Sequence, residues 1–282
     1  LKRNVHEYKI FDNINKNMTA SLLIVGIFLI LFLILCSSLI KSKFNIVVMY
    51  AYYEKNEMYA DNLRYFLKYG IVSNIDYYII INGKCTVEIP HLKNITVIHR
   101  ENEGYDFGAW SHCIKYLQKM YDYYIFINSS VRGPYRSEWL HEFLELFDDV
   151  GNVKLVGTSI NVHTPKNSNY IFPHVQSMFF ILDSEAFYYL KNINFFNEDK
   201  YNKSNFATIV HNGEIEMSTL VLKNNWNINC ILTKYRGYDY RRIKSNFNKH
   251  ADIYEGDPYY DGAYFGDTIK PKDVIFFKMN RI

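Results

Sequence analysis

Charge of one sign is what this chain most clearly lacks. Its 282 residues set 32 Lys and Arg against 29 Asp and Glu, with both signs scattered along the sequence. A nucleic-acid surface calls for clustered cations on a basic domain, so no nucleic-acid partner is expected. Cysteine is scarce too: Cys36, Cys85, Cys113 and Cys230 stand far apart with no C-x-x-C pair, which argues against a zinc site or a disulfide framework. Cys36 falls in an apolar run. The other three are expected as buried free thiols, although one bridge among them stays open in an extracytoplasmic domain. No Pro, Gly or Ser linker, internal repeat or low-complexity tract divides the chain. With 49% hydrophobic residues it can bury one sizeable core.

What the chain does have is one long apolar run. No charge occurs from Met18 through Ile40, and Lys41 and Lys43 follow. That length suits a hydrocarbon core of roughly 30 Å, whereas a signal peptide would be shorter and end in small residues at a cleavage site. The reading is a tail over 1–18, a transmembrane helix over 19–40 and a catalytic domain over 44–282. The chain opens on Leu1, which leaves room for residues before it. Lys2, Arg3, Lys9 and Lys16 precede the run and slightly favour a cytoplasmic N-terminus. The expected protein is single-pass and type II, its body in the Golgi or endoplasmic-reticulum lumen or outside the cell. Sequons at Asn94 and Asn202 would there be open to glycosylation.

Beyond the run, short β-branched and aromatic segments alternate with helical ones, the pattern of a parallel or mixed sheet covered by helices. Strands are expected over 45–51, 76–82, 95–99, 123–128, 154–160 and 177–182, and helices over 57–69, 107–120 and 213–223. Such uniformly apolar strands suit a sheet buried on both faces.

In open α/β sheets ligands bind where loops leave the carboxyl ends of strands. Three such places carry polar clusters: Arg100 to Trp110, Asn128 to Pro134, and Pro173 to Met178. Gly104 and Gly108 would allow a close approach or a tight turn into a helix whose N-terminus favours phosphate. Asp106 at that turn would serve equally as an N-cap. Neither a P-loop nor a dinucleotide fingerprint is present.

Taken in order, Tyr105-Asp-Phe-Gly-Ala109, Phe126-Ile-Asn-Ser-Ser-Val-Arg-Gly-Pro134, Leu155-Val-Gly-Thr-Ser-Ile-Asn161, His174-Val-Gln-Ser-Met178 and Val274-Ile-Phe-Phe-Lys-Met-Asn-Arg281 resemble GT-A-like glycosyltransferases akin to the rhamnan-synthesis family of polysaccharide enzymes. The resemblance covers most of residues 44–281. It implies an α/β fold of GT-A-like Rossmann type, a mixed sheet flanked by helices, and a nucleotide-sugar donor bound by Asn102, Gly104, Asp106, Asn128, Ser129, Ser130 and Arg132.

One departure stands out, because the slot that holds the metal-binding D-x-D in such enzymes reads Asn128-Ser129-Ser130. Amide and hydroxyl oxygens alone hold Mg2+ or Mn2+ poorly, so no metal ligand is assigned and metal dependence is placed in question. Cationic side chains can neutralise a departing diphosphate instead. Arg132 is the nearest, unless it is merely a solvated turn residue, and Lys278 and Arg281 could contribute from the C-terminal segment. An inverting transfer needs a base beside the acceptor hydroxyl. Glu214 and Glu216 suit that role, Glu214 better, or else they only favour a helix dipole. His174 and Gln176, two residues apart, would point the same way toward acceptor or phosphate. Tyr264 lies in an aromatic loop suited to sugar rings or to core packing. The expected activity is therefore hexosyl or deoxyhexosyl transfer to a glycan acceptor with inversion. Two rivals are a glycan-binding pseudoenzyme and a nucleotidyltransferase, the latter disfavoured because Ala51-Tyr-Tyr-Glu-Lys55 offers no basic glycine-rich loop.

Overall fold

The computed structural model describes residues 44–163, 172–244 and 247–281, the side chain of Arg281 excepted. The apolar run over 19–40 lies outside the described residues. Among those that are described, no helix is long and apolar enough to cross a membrane. Residues 45–282 form one compact unit.

In chain order, β1 (Ile46–Tyr52) leads into α1 (Glu57–Tyr69), then β2 (Asp76–Asn82), β3 (Ile95–Arg100), α2 (Tyr105–Ile114) and β4 (Tyr123–Asn128). A short β5 (Val131–Arg132) and α3 (Trp139–Leu144) precede β6 (Val153–Gly157), β7 (Ile160–His163), β8 (Phe172–Val175) and β9 (Phe179–Asp183). Then come α4 (Ser184–Asn192), α5 (Glu198–Asn202), α6 (Phe206–Ile209), a π-helical stretch over Val210–Ile215, and α7 (Glu216–Lys223). Finally β10 (Asn227–Cys230) and β11 (Phe277–Lys278) close the list of strands.

Seven strands make one sheet in the order β10-β6-β9-β4-β1-β2-β3. All its pairings are parallel except those of β9, which runs antiparallel to β4 and β6. The sheet is thus mixed, as the sequence pattern indicates. At its centre every residue of β1 is buried, which explains its run of Ile, Val, Met and Tyr without a polar alternate. The aromatic abundance is mostly core. Phe126 stacks on Phe180 at 4.4 Å, Tyr124 on Phe187 at 3.5 Å, and Trp110 donates its indole N–H to the Met49 carbonyl at 3.1 Å.

Local chemistry sets the element ends. Asn56 caps α1 by accepting from the Tyr59 amide, leaving Ala60, Leu63 and Phe66 on the buried stripe. Helix α2 ends earlier than expected, at Ile114, because Tyr116 and Leu117 tighten into i→i+3 bonds. The strand expected over 154–160 divides. Gly157 still pairs with β9, but Ser159 gives its carbonyl to the Gln176 amide. The chain is thereby diverted into a separate β7–β8 hairpin, in which Asn161 stands opposite His174. Strands β5 and β11 pair antiparallel, Lys278 opposite Val131.

The three cysteines among the described residues are free, as expected, with Cys113 and Cys230 buried. The two sequon asparagines face inward with their amides: Asn94 donates to the Val72 and Ile75 carbonyls, and Asn202 accepts from Arg100. A glycan on the Asn94 nitrogen would have to replace one of its two donated bonds.

Candidate functional site

A cleft of about 1230 Å3 opens where loops leave the carboxyl ends of β1, β3 and β4. One wall is the turn after β4, joined by Tyr53 and Lys55 beyond β1. Facing residues come from the helical run 206–219 and from the β7–β8 hairpin. Of the residues singled out in the sequence, Asn102, Asp106, Asn128, Ser129, Ser130, His174, Gln176, Glu214, Glu216 and Lys278 all line it.

The turn after β4 is tied by its own side chains. Asn128 Oδ1 accepts from the Ser130 amide at 3.0 Å and from the Ser130 hydroxyl at 2.6 Å. Its Nδ2 donates to Asp106 Oδ2 at 2.8 Å. Ser129 Oγ is 3.3 Å from both the Tyr53 amide and carbonyl, and the Ser129 carbonyl accepts from buried Asn62 at 3.0 Å. The slot thus spends its amide and its Ser129 hydroxyl on itself and its neighbours. The carboxylate bonded to it comes from the first turn of α2. Burial lifts that Asp106 carboxyl from 3.8 to about 6, against the hydrogen bond from Asn128 and with help from the negative charge of Glu214. Among the described residues, no three His, Cys, Asp or Glu side chains converge as a metal ion would require.

On the facing side Glu214 is held tightly. Its Oε2 accepts from the Ser177 amide at 2.5 Å and the Ser177 hydroxyl at 2.6 Å. Its Oε1 lies 3.6 Å from His174 Nε2. The other ring nitrogen, Nδ1, is 2.8 Å from the Phe172 carbonyl, which can only accept, so Nδ1 carries the proton and Nε2 is the position that titrates. Burial pushes the imidazole below its ordinary value, partly opposed by the Glu214 carboxylate. Glu214 belongs to the π-helical stretch, whose extra residue per turn is the kind of irregularity often found at functional sites. Glu216 also lines the cleft but is paired with Lys200 at 2.8 Å.

Four expected site residues lie elsewhere or beyond description. Gly104 is the N-cap of α2 at φ 67°, and a Cβ there would meet Asn202 Oδ1 at 2.7 Å. Its role is tight packing of α2 on α5. Arg132 does not line the cleft: its Nε donates to Asn62 Oδ1 at 3.0 Å, because β5 pairs with β11 and turns that side chain toward α1. Tyr264 is buried away from the cleft, stacked on Tyr235 at 5.8 Å and accepting from the Lys234 amide at 2.8 Å, so its aromatic loop is largely core. The side chain of Arg281 lies outside the described residues. Conversely, Lys55, Ser177, Asn161 and Asp257 line the cleft without having been singled out. Ser177 and Asn161 sit inside motifs visible in the sequence. The signal for Lys55 was its place just past the first strand.

The family model of rhamnan synthesis protein F matches residues 78–254, from β2 through the loop at Tyr254. No curated protein matches the chain. Solved structures with some similarity include a mannosyltransferase from Pyrobaculum calidifontis in complex with GDP-Man and Mn2+ (10% identity, TM-score 0.45, 67% of this chain and 55% of that one). Others are the glycosyltransferase GlyE of Streptococcus pneumoniae TIGR4 (10%, 0.35, 65% and 44%) and 4-diphosphocytidyl-2C-methyl-D-erythritol synthase from Anaerococcus prevotii DSM 20548 (10%, 0.38, 76% and 97%). The chain spans about half the length of the first two. With more than half of its residues matched by that model, the chain belongs to the rhamnan synthesis protein F family.

Proposed function

We propose that this protein is a glycosyltransferase that moves a hexosyl or deoxyhexosyl group from a nucleotide-sugar donor to a glycan acceptor with inversion. The observation that carries this reading is Glu214, whose Oε2 is fixed by two hydrogen bonds from Ser177 while Oε1 is left for chemistry, in the same cleft as the Asn128–Ser130 turn. In the reaction so proposed, Glu214 Oε1 takes the proton of the acceptor hydroxyl as that oxygen bonds to the sugar's anomeric carbon. The bond from that carbon to phosphate breaks at the same time, and its electron pair leaves on the nucleoside diphosphate. A single displacement of this kind inverts the anomeric centre. His174 Nε2 stands 3.6 Å from Glu214 Oε1, close enough to receive that proton in turn. Membership in a rhamnan-synthesis family supports a polysaccharide or lipid-linked glycan as acceptor. Anchoring through residues 19–40, with the catalytic domain on the far side of the membrane, is part of the same proposal.

The test is a panel of UDP-, GDP- and dTDP-sugars with the full chain, scored for transfer or slow donor hydrolysis. Glu214→Gln is expected to lower turnover by about 10²–10⁴-fold while leaving nucleoside-diphosphate affinity unchanged. Silence across the panel with no binding of UDP, GDP or dTDP would instead favour a pseudoenzyme.

A further inference from the structure

We propose that the donor's diphosphate is held by the ammonium groups of Lys55 and Lys278, which take the place of the divalent cation used at this position in GT-A-type sites. The inference rests on the transferase reading above and specifies how its donor is bound.

Three observations lead to it. The first is the chemistry of the slot itself. A small hard cation wants anionic oxygen and usually one or two carboxylates besides the substrate's phosphates. Here the amide oxygen of Asn128 already accepts twice from Ser130, and the carboxylate bonded to the turn, Asp106, has one oxygen taken by the Asn128 amide. A divalent ion does not fit this donor set.

The second is where the lysines stand. Lys55 follows Tyr53, whose backbone meets the Ser129 hydroxyl, and Lys278 precedes Met279, whose amide donates to the Ser130 carbonyl at 3.0 Å. The two thus approach the turn from separate elements, the exit of β1 and the β11 strand, and both line the cleft.

The third is that both are uncommitted. Among the described residues neither ammonium group has a carboxylate partner, whereas Lys200, Lys154 and Lys234 each have one. Lys55 and Lys278 stay without a carboxylate partner although the cleft also holds Asp106, Glu214, Glu216, Glu255 and Asp257, so an anion reaching the turn would meet ammonium groups that no carboxylate already neutralises. The backbone of the turn offers little instead, since the amides of Ser129 and Ser130 are already bonded to Ala51 and Asn128. Arg132, the cation nearest in sequence, is engaged by Asn62.

Titration calorimetry of the full chain with UDP, GDP, dTDP and inorganic pyrophosphate, each with and without EDTA, tests this. The expected result is binding that EDTA leaves within about twofold, weakened about tenfold or more by Lys55→Ala and by Lys278→Ala, as charge-assisted hydrogen bonds imply. Arginine at either position should restore part of it. Melting curves of both alanine variants should match the parent, because neither ammonium group has a carboxylate partner to lose among the described residues. Binding that EDTA abolishes, or that both alanine variants keep, overturns the lysine assignment and leaves the transferase reading standing. Failure of the unaltered chain to bind any probe overturns the transferase reading and this assignment together.

Discussion

Replacing Asp106 by asparagine probes the most perturbed carboxyl group in the cleft. Burial holds its folded pKa at about 6 against an ordinary 3.8, so between those values the folded state binds more protons than the unfolded one. Stability therefore falls as pH rises through this window, and the whole penalty is present above it. At 1.36 kcal/mol per pH unit the ceiling is roughly 3 kcal/mol. Because Asp106 borders the open cleft, solvent screening brings the expected gain to about 1–3 kcal/mol. Asparagine keeps the size of the group and an oxygen to accept from Asn128, so packing is little changed. Urea unfolding followed by tryptophan fluorescence suits the measurement, since Trp110, Trp139 and Trp226 all lie within residues 45–282. Asp106→Asn should be more stable than the parent at pH 7.5 and nearly equal to it at pH 4. A variant with no gain at pH 7.5, or with the same gain at both values, would show that desolvation of charge is not what shifts this group.

Two further predictions concern the frame around the cleft. Gly213 lies in the π-helical stretch where an added Cβ would come within 2.7 Å of the Phe107 ring; Gly213→Ala should cost about 1–3 kcal/mol in the same unfolding assay and lower transfer further by displacing Glu214. Glu198 faces Arg100, whose side chain is 6% exposed, at 3.6 Å and also meets His112 and Lys115. Glu198→Gln removes the carboxylate nearest that buried guanidinium, which keeps its hydrogen bonds to Asn82, Glu103 and Asn202, and should cost about 1–3 kcal/mol. Despite the opposing effect of burial, Lys115 and His112 hold the Glu198 carboxyl below its usual value. Its contribution is therefore complete above the ordinary glutamate range and lost as pH falls through the lowered value, so the variant should show a shallower acid limb.

Much of the framework was legible because its residues speak locally. The helix over 57–69 and the strands over 76–82 and 123–128 were placed to the residue, since capping by Asn56 and unbroken apolar runs depend on few distant partners. The short β7–β8 hairpin was not, because four-residue strands around buried Asn161 and His174 carry no periodic signal. Motif reading gathered most of the cleft, yet it misjudged side-chain direction. Nothing local says that β11 returns to pair with β5, and that pairing decides that Lys278 faces the cleft while Arg132 turns to Asn62. Likewise the π-helical irregularity that carries Glu214 depends on Gly213 fitting beneath Phe107, a fact of packing. Composition left Tyr264 and its neighbours open to either sugar stacking or core packing; contact with Tyr235 assigns Tyr264 to the core, while Tyr260 of the same loop lines the cleft.

The late return of Phe277–Lys278 to Val131–Arg132 has a bearing on how the protein comes into being. A ribosome will have delivered every strand of the large sheet well before the segment that finishes the pocket emerges. A nascent or proteolytically clipped form ending short of Phe277 would then hold its scaffold but lack one face of the turn after β4. Completion of the cleft would therefore lag behind formation of the sheet, by the time it takes to add the chain between Cys230 and Phe277.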